Sequence, residues 1–133
     1  GELGLAERVR WVDTVPHAEV PRWLGVMDAL VLPSVTFPSI QEQFGRVLVE
    51  AMACGVPVVG SSSGGIPGVI GDAGLVFPEG DSVALSTCLM QLMKSPARRE
   101  ELTRAGRARA LERYTWDSIA RGIADLYREV AAA

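Results

Sequence analysis

The chain has 133 residues, 48% of them hydrophobic, and a formal net charge of −3, enough for one domain with a buried core and too short for two. The mildly acidic balance offers no basic stripe that could neutralise a phosphate backbone, which argues against nucleic acid as a partner. No apolar run approaches the roughly 20 residues of a membrane span, and Cys54 and Cys88 lie in apolar helical patterns without C-x-x-C spacing, as buried thiols of a reducing, cytoplasmic compartment do.

The opening GELGLAERVRW lacks an initiating methionine and the regions of a signal peptide. It reads as the end of a helix and a loop entering a strand, the expectation for a fragment. Short apolar runs bounded by Gly, Pro and Ser then recur at Arg8 to Val12, Ala29 to Pro33, Val56 to Gly60 and Gly74 to Pro78, the pattern of buried strands. Helical segments alternate with them. AEVPRWLGVM tolerates Pro21 because it falls in the first turn. Phe44, Val47, Leu48 and Ala51 repeat at i, i+3, i+4 and i+7 and form one apolar stripe.

From Asp81 onward the chain is helical. Asp81 caps a helix with Leu85, Cys88, Leu89 and Leu92 on one face, and Ser95 before Pro96 is a second cap. Glu100 and Arg104 pair at i, i+4 on a solvated helix. Thr115 caps a last helix with Trp116, Ile119, Ala120, Ile123, Tyr127 and Val130 on one side. Strands alternating with helices to about residue 80, then a helical part over 81–133, predict a doubly wound, Rossmann-like α/β domain with a parallel sheet.

Ligands of such sheets bind at the carboxyl ends of the strands. The loop SVTFPSIQEQFG is the richest there. If the helix starts at its end, the amides of Phe44, Gly45, Arg46 and Val47 face the crevice with the positive end of the helix dipole, an anion site suited to phosphate. Gly45 lets a ligand approach the backbone. Glu42 is then either a favourable charge at the helix mouth or a ligand group. Eight residues at about 100° each carry Glu50 about 80° around and about 12 Å along the axis from Glu42. It flanks the apolar stripe and wants a partner: neighbouring backbone, an arginine, or a ribose and sugar on either side of a bound diphosphate.

Other signals are plainer. His17, the sole histidine, suits an exposed or capping role and has no serine and acid partner for a hydrolase triad. There is neither a G-x-x-x-x-G-K-[ST] nor a G-x-G-x-x-G motif. Asp28 and Ser34 suit backbone capping beside the second strand. Trp11, Trp23 and Trp116 suit a core or a domain contact.

Glu42, seven residues, Glu50, then AMACGVPVV, within the long match from about Arg8 to the C-terminal helix, resembles the nucleotide-sugar-binding half of retaining family 4 glycosyltransferases, the glycosyl transferases group 1, of GT-B fold. The resemblance implies that Glu42 lies near the donor sugar hydroxyls as the catalytic position. It implies Glu50 on the nucleotide ribose, and Phe44, Gly45, Arg46 and Val47 at the diphosphate. No metal or cofactor is implied, only a nucleotide diphosphate sugar as donor substrate. The family's arginine and lysine pair and its acceptor-binding N-terminal domain fall before this sequence, so the domain is expected to be N-terminally incomplete and inactive alone. GGIPG has Gly68 where the family commonly has glutamate, and Gly64 and Gly65 suit either a ligand approach or a plain turn. The implied whole enzyme transfers a hexosyl group to an acceptor hydroxyl, with room for peripheral membrane contact. A nucleotide-sugar epimerase and a non-catalytic donor-binding module are the other readings.

Overall fold

The computed structural model describes residues 4–132. Three short strands, β1 (Leu30–Leu32), β2 (Val58–Ser61) and β3 (Leu75–Phe77), pair in parallel in the order β1-β2-β3. Leu30 lies opposite Val58, and Val59 opposite Leu75. Side chains alternate between the faces of a strand, so Val58 and Gly60 point one way and Val59 and Ser61 the other.

On the first face, Leu30, Leu32 and Val58 pack with Leu24 of α1 (Val20–Leu24), Leu48, Ala51 and Met52 of α2 (Arg46–Ala53), and Ile66, Val69 and Ile70 of α3 (Ile66–Ile70). On the second, Val31, Val59, Leu75 and Phe77 meet Leu85, Cys88, Leu89 and Leu92 of α4 (Ser82–Lys94). The sheet is therefore covered on both faces, as the alternating sequence predicts. Gly60 is what lets α3 lie directly on β2: a Cβ there would collide with Ile66 Cγ2 and stand 2.7 Å from Ile70 Cδ1.

Two longer helices follow, α5 (Pro96–Arg113) and α6 (Trp116–Ala131). Helix α5 ties the layers together, with Leu102 in the second core and Ala110 in the first. It crosses α2 closely at Gly106, where an added Cβ would stand 3.1 Å from Met52 Cγ. All three predicted caps form. Asp81 Oδ1 accepts the amides of Val83 and Ala84 at 3.0 and 2.9 Å, Ser95 Oγ that of Arg98 at 3.2 Å, and Thr115 Oγ1 that of Ser118 at 3.2 Å. The Glu100–Arg104 pair closes at 3.1 Å.

Four expectations are corrected. Residues 8–12 form no strand. Ala6–Arg8 is a 3-10 turn, the following residues are irregular, and Trp11 is 91% exposed. An apolar pattern becomes a strand only where a ladder partner exists, and the described sheet offers this segment none. Trp11 and Trp116 are exposed and Trp23 half-buried, so of their two expected roles, core or domain contact, the core is the one corrected. Cys54 and Cys88 are free but half-buried, not buried; what burial Cys88 has raises its thiol pKa. The helix with the Phe44 stripe begins only at Arg46, leaving Phe44 outside it and exposed, while Leu48, Ala51 and Met52 carry the burial.

The last helix has the predicted face, but α6 leans on α5 without burying any of its residues. Among the described residues no helix is long and apolar enough to cross a membrane.

Candidate functional site

Because the strands are parallel, their carboxyl ends open on one crevice, walled by the loops that leave β1, β2 and β3. Helix α2 starts from the first of these loops and therefore points its amino end into the crevice. The start is set by Gly45, whose φ of 76° and ψ of 56° are left-handed. Its missing side chain also matters, since a Cβ would stand 3.0 Å from both Leu32 Cδ2 and Leu48 Cδ1.

Glu42 lies before this glycine, outside the helix, so projecting it onto the helical wheel with Glu50 does not describe their relation. Its Oε1 accepts the Gly45 amide at 2.9 Å and, more weakly, the Phe44 amide at 3.4 Å. Two of the four amides expected to hold an anion thus already face a carboxylate. Leu48 donates back to the Gly45 carbonyl at 2.9 Å. The amides of Arg46 and Val47 have no acceptor among the described residues, and they are the first-turn donors that an incoming anion would meet.

Glu50 sits one turn further along the same helix, half-buried beside the packed face. Its Oε1 lies 3.4 Å from Arg46 Nε, with the glutamate side chain 33% and the arginine 78% exposed. An i, i+4 pair this exposed is worth only a few tenths of a kcal/mol, so a better partner for either group displaces it readily.

Phe44 turns its ring edge-on to Tyr114, with centroids 5.5 Å apart and planes at 83°. Tyr114 Oη donates to the Val69 carbonyl at 3.3 Å, and Arg109 donates through Nε to Val69 O and through Nη2 to Gly68 O, both at 2.8 Å. The guanidinium meets the carbonyls that α3 leaves exposed at its carboxyl end, where a cation is favoured. The end of α5 thereby anchors both α3 and the mouth of α2.

Gly64 and Gly65 serve the backbone. The Gly65 amide donates to the Glu42 carbonyl at 2.9 Å. A Cβ at Gly64, where φ is 52°, would collide with that same carbonyl, and one at Gly65 would collide with the Gln43 carbonyl. The pair of glycines seats the Glu42 segment against the loop after β2. Gly68, by contrast, faces open space: a Cβ there would meet nothing within 4 Å.

A polar network that sequence reasoning missed joins all three loops. Ser61 Oγ donates to the Ser34 carbonyl at 2.6 Å, so Ser34 takes part through its backbone. Glu79 accepts the Thr36 amide on Oε1 at 2.6 Å and the Thr36 hydroxyl on Oε2 at 2.8 Å, while its own amide donates to Ser62 Oγ at 2.9 Å. Thr36 Oγ1 is also 2.8 Å from Ser63 Oγ. The Thr36 amide, then its hydroxyl, hold the Glu79 carboxyl below its usual pKa. The one hint in the sequence is the serine run 61–63 directly at a strand end.

His17 is exposed at the start of a 3-10 turn, outside this arrangement. A hollow of about 660 Å³ lined by Val26, Met27, Leu89 and Met93 adjoins Ala29, at the amino end of β1, away from the crevice. Among the described residues no three His, Cys, Asp or Glu side chains are grouped to hold a metal ion.

Comparison with known proteins gives one consistent family. The family described as glycosyl transferases group 1 matches residues 1–109. The phosphatidyl-myo-inositol mannosyltransferase of Mycobacterium leprae is 36% identical over 132 residues, covering 98% of this chain and 34% of that protein. Among solved structures, sucrose-phosphate synthase from Thermosynechococcus elongatus superposes with a TM-score of 0.81 at 32% identity, over 98% of this chain and 32% of that one. HepE of Anabaena in complex with UDP superposes with a TM-score of 0.84 at 27% identity, over 96% and 34%. The chain spans about a third of the length of the curated relatives it matches.

Proposed function

The chain belongs to the glycosyl transferases group 1 and has the α/β fold of the C-terminal domain of GT-B glycosyltransferases, and from that premise we propose that it is the donor-binding part of a retaining hexosyltransferase. The whole protein would move a hexosyl group from a nucleotide diphosphate sugar to an acceptor hydroxyl. The observation that carries the proposal is the mouth of α2: two first-turn amides with no acceptor among the described residues, with Glu42 just before them and Glu50 one turn beyond.

In this reading the diphosphate lies on the amides of Arg46 and Val47. The amides of Phe44 and Gly45 join them once Glu42 turns from its own backbone to the hydroxyls of the donor sugar. The Glu42 carboxylate thus occupies, before binding, donors that the substrate anion would take. Glu50 leaves Arg46 for the ribose hydroxyls, an exchange that the weak exposed pair allows. As the bond from sugar to diphosphate breaks, negative charge grows on the departing phosphate, where fixed amides and a helix dipole stabilise it without reorganising. The same groups bind the ground-state diphosphate, so they accelerate the reaction only to the extent that they hold the leaving group more tightly. No bound metal ion is needed in this scheme. The UDP in the HepE structure supports a nucleotide ligand for this fold. The isolated domain would bind donor weakly at best and transfer nothing, and the enzyme would work in the cytoplasm.

The test is to incubate the full-length protein with a panel of UDP- and GDP-hexoses, water taking the acceptor's place, and follow slow nucleoside diphosphate release, with the anomeric configuration of the first-formed hexose read by NMR. Release with retained configuration is expected, and Glu42→Gln should lower it. Inverted configuration, or no turnover of any donor, would refute the proposal.

A further inference from the structure

The loop that carries Glu42 leaves β1 at Pro33 and reaches α2 only at Arg46, a long excursion that must be held in one place if the helix mouth is to be ready for a ligand. At its tip, Phe37 and Ile40 exchange backbone bonds of 2.8 and 3.1 Å and close a tight turn. Both side chains are largely exposed, at 61% and 69%, so packing does not fix the turn. What fixes it is polar. Thr36, immediately before the turn, gives both its amide and its hydroxyl to the two oxygens of Glu79, 43 residues away on the loop after β3.

The direction of each bond follows from the carboxylate. Ionised Glu79 can only accept, so the single hydroxyl proton of Thr36 is committed to Oε2. The contact of Thr36 Oγ1 with Ser63 must then be donated by the Ser63 hydroxyl, which is buried at 1% exposure. Ser63 is followed at once by Gly64 and Gly65, and Gly65 holds the Glu42 carbonyl. Hydrogen bonds from Glu79 to Thr36 and from Thr36 to Ser63, the covalent step along the chain from Ser63 to Gly65, and the bond from the Gly65 amide thus connect Glu79 to the backbone of Glu42.

We propose that Glu79 is a positioning residue for the nucleotide-sugar site: with Thr36 it clamps the β1–α2 loop across the crevice and so presets Glu42 and the mouth of α2. This rests on the donor-binding assignment above. The clamp touches no donor group itself. It acts by keeping the binding-competent loop arrangement populated, and apparent affinity falls in proportion when that population falls.

The full-length protein and its variants are titrated with UDP and with GDP by calorimetry, the tighter nucleotide being used throughout, and their melting temperatures are recorded without ligand. Glu79→Ala should weaken binding about fivefold and Thr36→Val about threefold, with the double variant no weaker than Glu79→Ala because the two share one interaction. Glu79→Gln should stay within about twofold of the wild type, since an amide oxygen can accept from the Thr36 amide and its NH2 can donate to Thr36 Oγ1. A melting temperature within a few degrees of wild type is expected for Thr36→Val, and this variant alone decides if Glu79→Ala does not fold. Equal affinity for wild type and Thr36→Val would overturn the clamp, as would a Glu79→Gln defect as large as that of Glu79→Ala. Absence of binding by the wild-type protein to either nucleotide would instead overturn the donor-site assignment on which the clamp rests.

Discussion

Arg46 and Glu50 face each other across one turn of α2, with Nε and Oε1 3.4 Å apart, at the place where the proposed reading puts ribose and diphosphate side by side. The pair uses a side chain of one residue whose backbone amide is the proposed phosphate ligand. Side chain and amide can therefore be separated by mutation. Arg46→Ala removes the guanidinium and keeps the amide, so nucleoside diphosphate affinity of the full-length protein should change by less than about fivefold, the scale of an exposed ion pair. Glu50→Gln removes a proposed ribose ligand and should cost about tenfold, as charged hydrogen bonds do. Titration calorimetry on both variants reads this. The opposite ranking would make the arginine side chain, not the helix amides, the phosphate ligand.

The two glycines at 64 and 68 should behave oppositely. Alanine at Gly64 meets the Glu42 carbonyl and a left-handed φ of 52°, so it should destabilise the domain by about 1–3 kcal/mol and displace the Glu42 segment. Alanine at Gly68 meets open space within α3 and should be neutral or stabilising by up to about 1 kcal/mol. Urea denaturation of the two variants decides the matter; a Gly64→Ala protein as stable as wild type would show that the close approach is relieved at no cost.

These glycines also mark what a sequence can and cannot show. The caps Asp81, Ser95 and Thr115 were legible because each joins residues within three positions of one another, and the strand runs near 30, 58 and 75 because their apolar clusters are bounded by Gly and Pro. Gly64 and Gly65 read only as a turn, since their collision partners lie some 20 residues upstream. The run Arg8 to Val12 carries a strand pattern, yet strandedness belongs to a pair of segments and not to one. Glu42 was located at the helix mouth but its bond to Gly45 was hidden, because it depends on a left-handed glycine delaying the helix to Arg46. Thr36 and Glu79 are 43 residues apart, and neither residue is unusual in its own neighbourhood.

Stability should carry an acid limb from Glu79. Its carboxyl is held below its usual pKa, first by the Thr36 amide. The unfolded chain therefore binds the proton more readily than the folded one, and stability rises with pH between the two values. The contribution is complete above the ordinary carboxylate pKa and disappears as pH falls through the lower folded value. Glu79→Gln should flatten this part of the curve in urea melts taken between about pH 5 and pH 3, a window set by ordinary carboxylate titration. An unchanged slope would mean that the Thr36 bonds do not survive in solution.

Arg109 should matter for stability and only indirectly for binding. It supplies two hydrogen bonds of 2.8 Å to the carbonyls of Gly68 and Val69, and Arg109→Ala should cost about 1.5–3 kcal/mol in denaturant unfolding. Nucleotide affinity under strongly native conditions should change by less than about twofold, since both of its hydrogen bonds go to α3 and neither goes to α2 or the Glu42 segment. A loss confined to affinity would contradict the anchoring role.

The most direct measurement is a crystal structure of the full-length protein with its nucleoside diphosphate bound. The diphosphate should rest on the amides of Arg46 and Val47, with Glu50 turned from Arg46 to the ribose hydroxyls and the Thr36–Glu79 bonds unchanged. A nucleotide bound elsewhere, or at this mouth with Glu50 still paired to Arg46 and the ribose beyond its reach, would contradict the account.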